Sequence, residues 1–278
     1  MSNISVEPGA CDCHMHFYRP HTESAIAALA NQQKIPPPTV DAKIYQGFLT
    51  SIGLTRFVAV QSVAYGFDNS VMLEEASLFG DNARLIPVLP VDISDEDIAW
   101  WESRGARGIR AYLLEGGGAC YDWDMLPELS ARIQPFGWHL QIQFDGRNLP
   151  ERETQLKSLS GDIVIDHVGK FLEPVSTNSK EFASLLRLVD TGRIWVKLSA
   201  PYETSKTGRP WYEDVSTLVH ALVKYAPERL VWGSNYPHPG MKDAPSAEEL
   251  VALLEYWIPD TVTRRLVLKE NPETLYRF

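Results

Sequence analysis

Eight brief apolar runs recur along the chain, at residues 10–14, 57–61, 84–90, 108–113, 138–144, 162–167, 193–198 and 229–233. They are rich in Val, Ile, Leu and aromatics, the composition of strands buried on both faces of a parallel sheet. Longer helix-like stretches separate them, at residues 70–79, 96–104, 123–135, 150–159, 179–191, 211–225 and 247–257. Several open on helix-start signals such as Ser94-Asp95-Glu96-Asp97 and Pro245-Ser246-Ala247-Glu248, where a side-chain oxygen takes up a free backbone N–H. Eight strands alternating with helices predict a single (β/α)8 barrel over residues 1–278, a length near the roughly 250 residues typical of that fold. An open doubly wound sheet is the alternative. It usually carries a glycine-rich turn after its first strand, and here the first strand runs into Cys13-His14-Met15-His16.

Charge narrows the partners. Lys and Arg number 26 against 36 Asp and Glu, a net charge of −10. Such a surface argues against general nucleic-acid binding and against an anionic membrane. A small anionic substrate remains compatible, because a local cluster of cations overrides the global field. No run of about 18 apolar residues crosses a membrane. Residues 1–10 contain Glu7 and Pro8 and lack the pattern of a secretory signal. Cys11, Cys13 and Cys120 are too few and too odd in number for a disulfide framework. A cytoplasmic protein is expected. A homo-oligomer stays open, since barrel helices are amphipathic whether or not they meet a partner.

Three segments break the alternation, all after strand ends, the face on which barrel enzymes place their sites. Residues 20–39 end in Lys34-Ile35-Pro36-Pro37-Pro38-Thr39 and read as a lid-like loop. Residues 115–119 are glycine-rich, and residues 206–210 follow the seventh run.

Four of the seven histidines fall at strand ends: His14, His16, His167 and His238. His21, His139 and His220 are less suggestive. Residues i and i+2 of a strand point to one side, so His14 and His16 converge. Histidine at such a place can bind metal, take a proton or donate a hydrogen bond near neutral pH. Arg110 and Tyr112 share a face of the fourth strand, and Gln141, Gln143 and Asp145 a face of the fifth. Polar residues alternating within apolar strands predict a polar lumen, with Arg110 gripping a substrate carboxylate in bidentate fashion. Lys170 is a candidate second clamp. Lys197, on a face with Trp195 and Ser199, is either paired in the core or aimed into the site. Tyr18, Tyr202 and Tyr236 follow strand ends, where each can hydrogen-bond a ligand.

Cys11-Asp12-Cys13-His14-Met15-His16-Phe17-Tyr18, Ile165-Asp166-His167-Val168-Gly169-Lys170 and Trp232-Gly233-Ser234-Asn235-Tyr236-Pro237-His238-Pro239 together resemble the amidohydrolase superfamily. Within it the chain is most similar to the branch of 2-pyrone-4,6-dicarboxylate lactonase and D-galactarolactone isomerase. The resemblance runs to Glu270-Asn271-Pro272-Glu273-Thr274-Leu275-Tyr276. It implies a distorted barrel of the amidohydrolase type and chemistry on a small anionic lactone. The lactonase pattern has the paired histidines, matched by His14 and His16, and an aspartate where this chain has Asn235. The isomerase pattern is matched at Gln143-Phe144-Asp145-Gly146, Gly169-Lys170-Phe171, Tyr202-Glu203-Thr204-Ser205 and Asn235, but lacks the first histidine that this chain keeps.

Asn235 is the informative departure. Aspartate there ligates a metal or takes a proton, whereas an amide has no useful basicity and is a poor zinc ligand. No metal or other cofactor is favoured. Zinc, if bound, falls to His14, His16 and His167. Without metal, these three polarise the lactone carbonyl as an oxyanion site, and one of them or His238 serves as base. Lactone hydrolysis is the first reading and lactone isomerisation, which asks less activation of water, the second. A decarboxylase and a non-catalytic small-acid binder complete the set.

Overall fold

A computed structural model describes residues 8–19, 37–114 and 120–278. His21, residues 115–119 and most of the lid-like segment lie outside the described residues. Eight strands follow in chain order: β1 (Cys11–Met15), β2 (Arg56–Val60), β3 (Ala83–Ile86), β4 (Gly108–Tyr112), β5 (His139–Gln143), β6 (Ile163–Ile165), β7 (Ile194–Leu198) and β8 (Leu230–Trp232). All pair in parallel, β1 to β3 in one group and β4 to β8 in another.

Hydrogen bonds close both gaps between the groups. At the first, Leu85 N donates to Gly105 O at 3.0 Å and Arg107 N to Leu85 O at 3.1 Å. At the second, Asn235 N donates to His14 O and His16 N to Tyr236 O, both at 2.8 Å. The ring is therefore a barrel with no open edge, as the alternation predicted. Its closure at β1 requires glycine. A Cβ on Gly233 would stand 2.6 Å from the Cβ of His14.

The crossovers are α1 (Ala42–Ser51), α2 (Ser70–Ser77), α3 (Asp95–Glu102), α4 (Leu126–Ile133), α5 (Leu149–Ser158), α6 (Lys180–Val189) and α7 (Glu213–Tyr225), with α8 (Ala247–Trp257) after β8. Ser94 caps α3 through Asp97 N, and Ser246 with Glu249 forms a capping box on α8, as their sequences suggested. Helix α1, capped by Asp41, was not among the expected stretches. The third apolar run is shorter as a strand than it reads. Pro87 and Pro90 have no N–H for a ladder, and β3 stops at Ile86.

Alternation along the strands sorts the core into two layers. Outward residues such as Phe57, Ile109, Leu140, Ile165 and Val196 join Leu49, Ile98, Leu129, Leu156 and Leu222 of the helices. Inward residues at the lower end, including Cys11, Cys13, Val58, Val164 and Trp195, close over Leu275 and Tyr276. Those two belong to α10 (Asn271–Tyr276), which follows the short α9 (Thr261–Arg265). Arg84 holds this plug in place, donating to Tyr276 O at 3.2 Å and Arg277 O at 2.9 Å. The lower end of the barrel is thus sealed, and the upper, strand C-terminal end is left for chemistry. Among the described residues no helix is long and apolar enough to cross a membrane, and Cys11 and Cys13 are buried free thiols.

Candidate active site

A cavity of about 140 Å³ opens at the upper end of the barrel. Its wall is built strand by strand: His16 and Tyr18 after β1, Arg110 and Tyr112 on β4, Gln143 on β5, His167 and Lys170 after β6, Glu203 after β7, and Asn235 after β8. Eight of these nine are residues that the sequence singled out. Glu203 is the addition. It lies in the Tyr202-Glu203-Thr204-Ser205 stretch that matches the isomerase pattern, and its other signal is position, five residues beyond the end of β7.

Other candidates stand behind the wall. His14 lies beneath, its ring 5.0 Å from that of His16 and 4.8 Å from that of His167. Tyr202 and His238 back Asn235. Tyr236 is a packing residue, stacked on Phe48 at 4.2 Å. Asp145 caps its own turn and pairs with Arg147 at 2.6 Å. His139 sits at the lower end against Tyr276, and His220 bonds Tyr256 O from α7.

The turn after β6 has unusual backbone geometry. His167, Val168, Gly169 and Lys170 have φ of 54°, 57°, 87° and 50°. Left-handed backbone is disfavoured for any side chain and most for a β-branched one, and it persists where the surroundings enforce it. Here it bends the chain so that His167 and Lys170, three residues apart, both reach the cavity wall. Asn235 and His238 are likewise left-handed, at 58° and 63°.

The hydrogen bonds assign protons to the rings. Burial, with Arg110 next in effect, pushes His16 down to about 3, so the ring is neutral. Its Nδ1 lies 2.7 Å from Val60 O, an acceptor only, so Nδ1 carries the hydrogen and Nε2 a lone pair. His16 is therefore an acceptor, which corrects the expectation that all three histidines donate to the carbonyl. Burial also lowers His14 and His167 well below the ordinary range. His167 Nδ1 pairs with Ser199 Oγ at 2.8 Å, a contact in which either atom can donate; with the hydroxyl as donor, Nε2–H is left to face a ligand. Around Asn235 the direction is fixed. Its amide donates to Tyr202 Oη at 2.8 Å and to Glu203 Oε1 at 3.2 Å. The Tyr202 hydrogen then goes to His238 Nδ1 at 3.0 Å, which leaves His238 Nε2–H unpartnered.

Two cations reach the wall in different circumstances. Lys170 forms an ion pair with Glu203. Arg110 donates to Gln61 O and Gln143 Oε1, each at 2.6 Å, and has no carboxylate partner among the described residues. Below them Lys197 answers the question that the sequence left open. Its ammonium donates to Cys13 O at 2.8 Å and Gln141 Oε1 at 2.7 Å, and stands 3.5 Å from His14 Nδ1. It is paired in the core under the site.

Among the described residues, His14, Asp166 and His167 bring ligand atoms within 4.8 Å of one another. His16 is not of the set, and Asp166 already receives Gln141 Nε2 on both oxygens at 2.9 and 3.1 Å. Lys197 Nζ is 4.0 Å from Asp166. A divalent ion there would meet an ammonium across a few ångströms of dry interior, where like charges repel strongly. These residues do not fit a divalent metal.

The family model described as amidohydrolase matches residues 11–278. The chain belongs to the amidohydrolase family. It is 30% identical over 279 residues to D-galactarolactone isomerase of Agrobacterium fabrum, covering 99% of this chain and 93% of that protein. It is 30% identical over 277 residues to the Comamonas testosteroni protein named 2-pyrone-4,6-dicarboxylate hydrolase, covering 96% of this chain and 90% of the other. An apo crystal structure of an Agrobacterium tumefaciens protein superposes with a TM-score of 0.87 at 29% identity, covering 98% of this chain and 97% of that one. This amidohydrolase thus stands at equal identity to a relative named for isomerisation and one named for hydrolysis.

Proposed function

We propose that this amidohydrolase opens the ring of a small anionic lactone, by attack of water on a carbonyl polarised by the histidine cluster, without a metal. The observation that carries the reading is Arg110. It is a buried guanidinium in the cavity wall, with Nε unpartnered and no counter-ion among the described residues, in a chain of net charge −10. Such a group invites a carboxylate. His167 is the donor suited to the carbonyl oxygen, His14 supports it from below, and Tyr18, Tyr112 and Gln143 shape the remaining wall. Lys197 and the engaged Asp166 support chemistry without metal.

Asn235 favours a second reading, isomerisation, in which a substrate hydroxyl replaces water. A pre-formed nucleophile needs less activation than water, and position 235 offers an amide where a carboxylate would serve as base.

Proton NMR of the protein with a panel of small anionic lactones, before and after dialysis against a chelator, tests the proposal. Loss of the ester signifies hydrolysis and its migration signifies isomerisation. Turnover is expected to survive the chelator. No turnover of any lactone would sink the reading, and rescue by zinc alone would sink its metal-free part. The small number of cysteines, three in 278 residues, supports a cytoplasmic setting.

A further inference from the structure

Glu203 has no assigned part in lactone opening, yet it is the carboxylate in the cavity wall. Each of its oxygens has a partner of different kind: Oε1 receives the Asn235 amide at 3.2 Å, and Oε2 meets the Lys170 ammonium. Lys170 itself is only 5% exposed. We propose that Glu203 and Lys170 form the acid–base couple of this site, with Asn235 as the positioning residue that aims the carboxylate. The inference rests on the lactone reading for its substrate but not for its first test.

The step balances within the pair. Glu203 takes the proton from the O–H of the nucleophile as that oxygen bonds to the lactone carbonyl carbon. The carbonyl π pair moves onto its oxygen, facing the His167 N–H. Collapse restores the C=O, breaks the ring C–O bond, and the leaving alkoxide takes a proton from the Lys170 ammonium. One proton then crosses from the Glu203 acid to the Lys170 amine through their direct contact, and both groups are reset. With water the product is a hydroxy acid that releases its carboxyl proton to solvent. With a substrate hydroxyl it is an isomeric lactone with no net proton change.

Three observations favour this pair. Lys170 is faced by Glu203, Asp166, Arg110 and His167. Burial pushes it down to about 7, with Arg110 acting in the same sense and Asp166 against. Its ammonium can therefore give up a proton near neutrality, although contact with Glu203 opposes the loss. His16 Nε2 is the rival base, but a proton there would create a second cation beside Arg110, whereas Glu203 receives one as an anion. Finally, Asn235 becomes explicable. A carboxylate at 235 would repel Glu203, while the amide donates to it.

The first test needs no substrate. In protein carrying 13C-lysine, the Lys170 Cε resonance, assigned through Lys170→Arg, is followed with pH. A midpoint well below the ordinary lysine value of 10.5 is expected. A midpoint at or above that value overturns the couple, whether or not a lactone has been found. The second test uses turnover. Glu203→Gln is expected to lower kcat by about 10²-fold or more with little change in KM, and to remove the acidic limb of the pH–rate profile. Glu203→Gln combined with Lys170→Met is expected to cost little more than the worse single change, since the two act as a unit. If Glu203→Gln does not fold, Glu203→Asp decides: it keeps the charge but withdraws it by one methylene, and a base so displaced loses at least about tenfold in kcat. An unchanged kcat and profile, together with collapse in His16→Gln, would assign the proton to His16 instead.

Discussion

Arg110 and Asn235 carry the sharpest expectations at the scale of single residues. Arg110→Met removes a charge-assisted, two-pronged contact to substrate, and kcat/KM is expected to fall by about 10² or more. Arg110→Lys restores the charge without the fork and should recover only part of it. Gln61 O and Gln143 Oε1 lose their donor in both variants, so steady-state kinetics are paired with a melting curve. An unchanged kcat/KM on the true substrate removes Arg110 from the site. Asn235→Asp sets a carboxylate where an amide now donates to Glu203 at 3.2 Å. Two carboxylates so close cannot both ionise freely, and one is raised. The variant should lose part of its hydrolysis, because the new carboxylate repels the base that the amide aims, and add an ionisation to the pH–rate profile. A profile and product distribution identical to the parent's would take position 235 out of proton transfer.

At the scale of elements, the seam between β1 and the end of β8 sets the precision of the site. Asp12 on β1 accepts from Ser234 N at 2.8 Å and from Tyr45 Oη at 3.0 Å, which ties α1 and the Asn235 turn to one buried carboxylate. Gly233 lets the chains approach. Gly233→Ala forces its Cβ against His14, and such overpacking costs about 1–3 kcal/mol. Urea denaturation should show that loss, and kcat should fall with it because His14 and Asn235 move together. Full stability in the alanine variant would mean that the seam has slack.

For the whole molecule, the buried histidines link stability to pH. Burial lowers His16, His139 and His238 to about 3, and the ordinary value, which the unfolded chain regains, is 6.5. The unfolded state then binds more protons at every pH between those values. Stability contributed by the neutral rings is complete above pH 6.5 and is lost as pH falls toward 3. Each ring contributes a slope of about 1.4 kcal/mol per pH unit within that window. Melting temperature is expected to hold near neutrality and drop progressively below pH 6 or so. A flat profile down to about pH 4 would show that these rings are protonated without cost in the fold.

What the sequence by itself determined is what short windows of chain encode. Eight apolar runs became eight strands, and the polar alternation of Arg110 and Tyr112, or of Gln141 and Gln143, became a polar lumen. Period and propensity act between near neighbours, so they survive without knowledge of the rest of the fold. Helix α1 escaped because Gly47 sits in its middle and it adjoins a segment read as loop. The tertiary structure alone decided which nitrogen of His16 holds its proton, since Val60 is 44 residues away. It decided that Lys197 lies under the site, bonded to Cys13 across 184 residues. It decided that Asn235 donates to Glu203 across 32 residues and that Lys170 meets that same carboxylate. Such contacts depend on where closure of the barrel brings the strand ends, and local pattern carries no information about that distance.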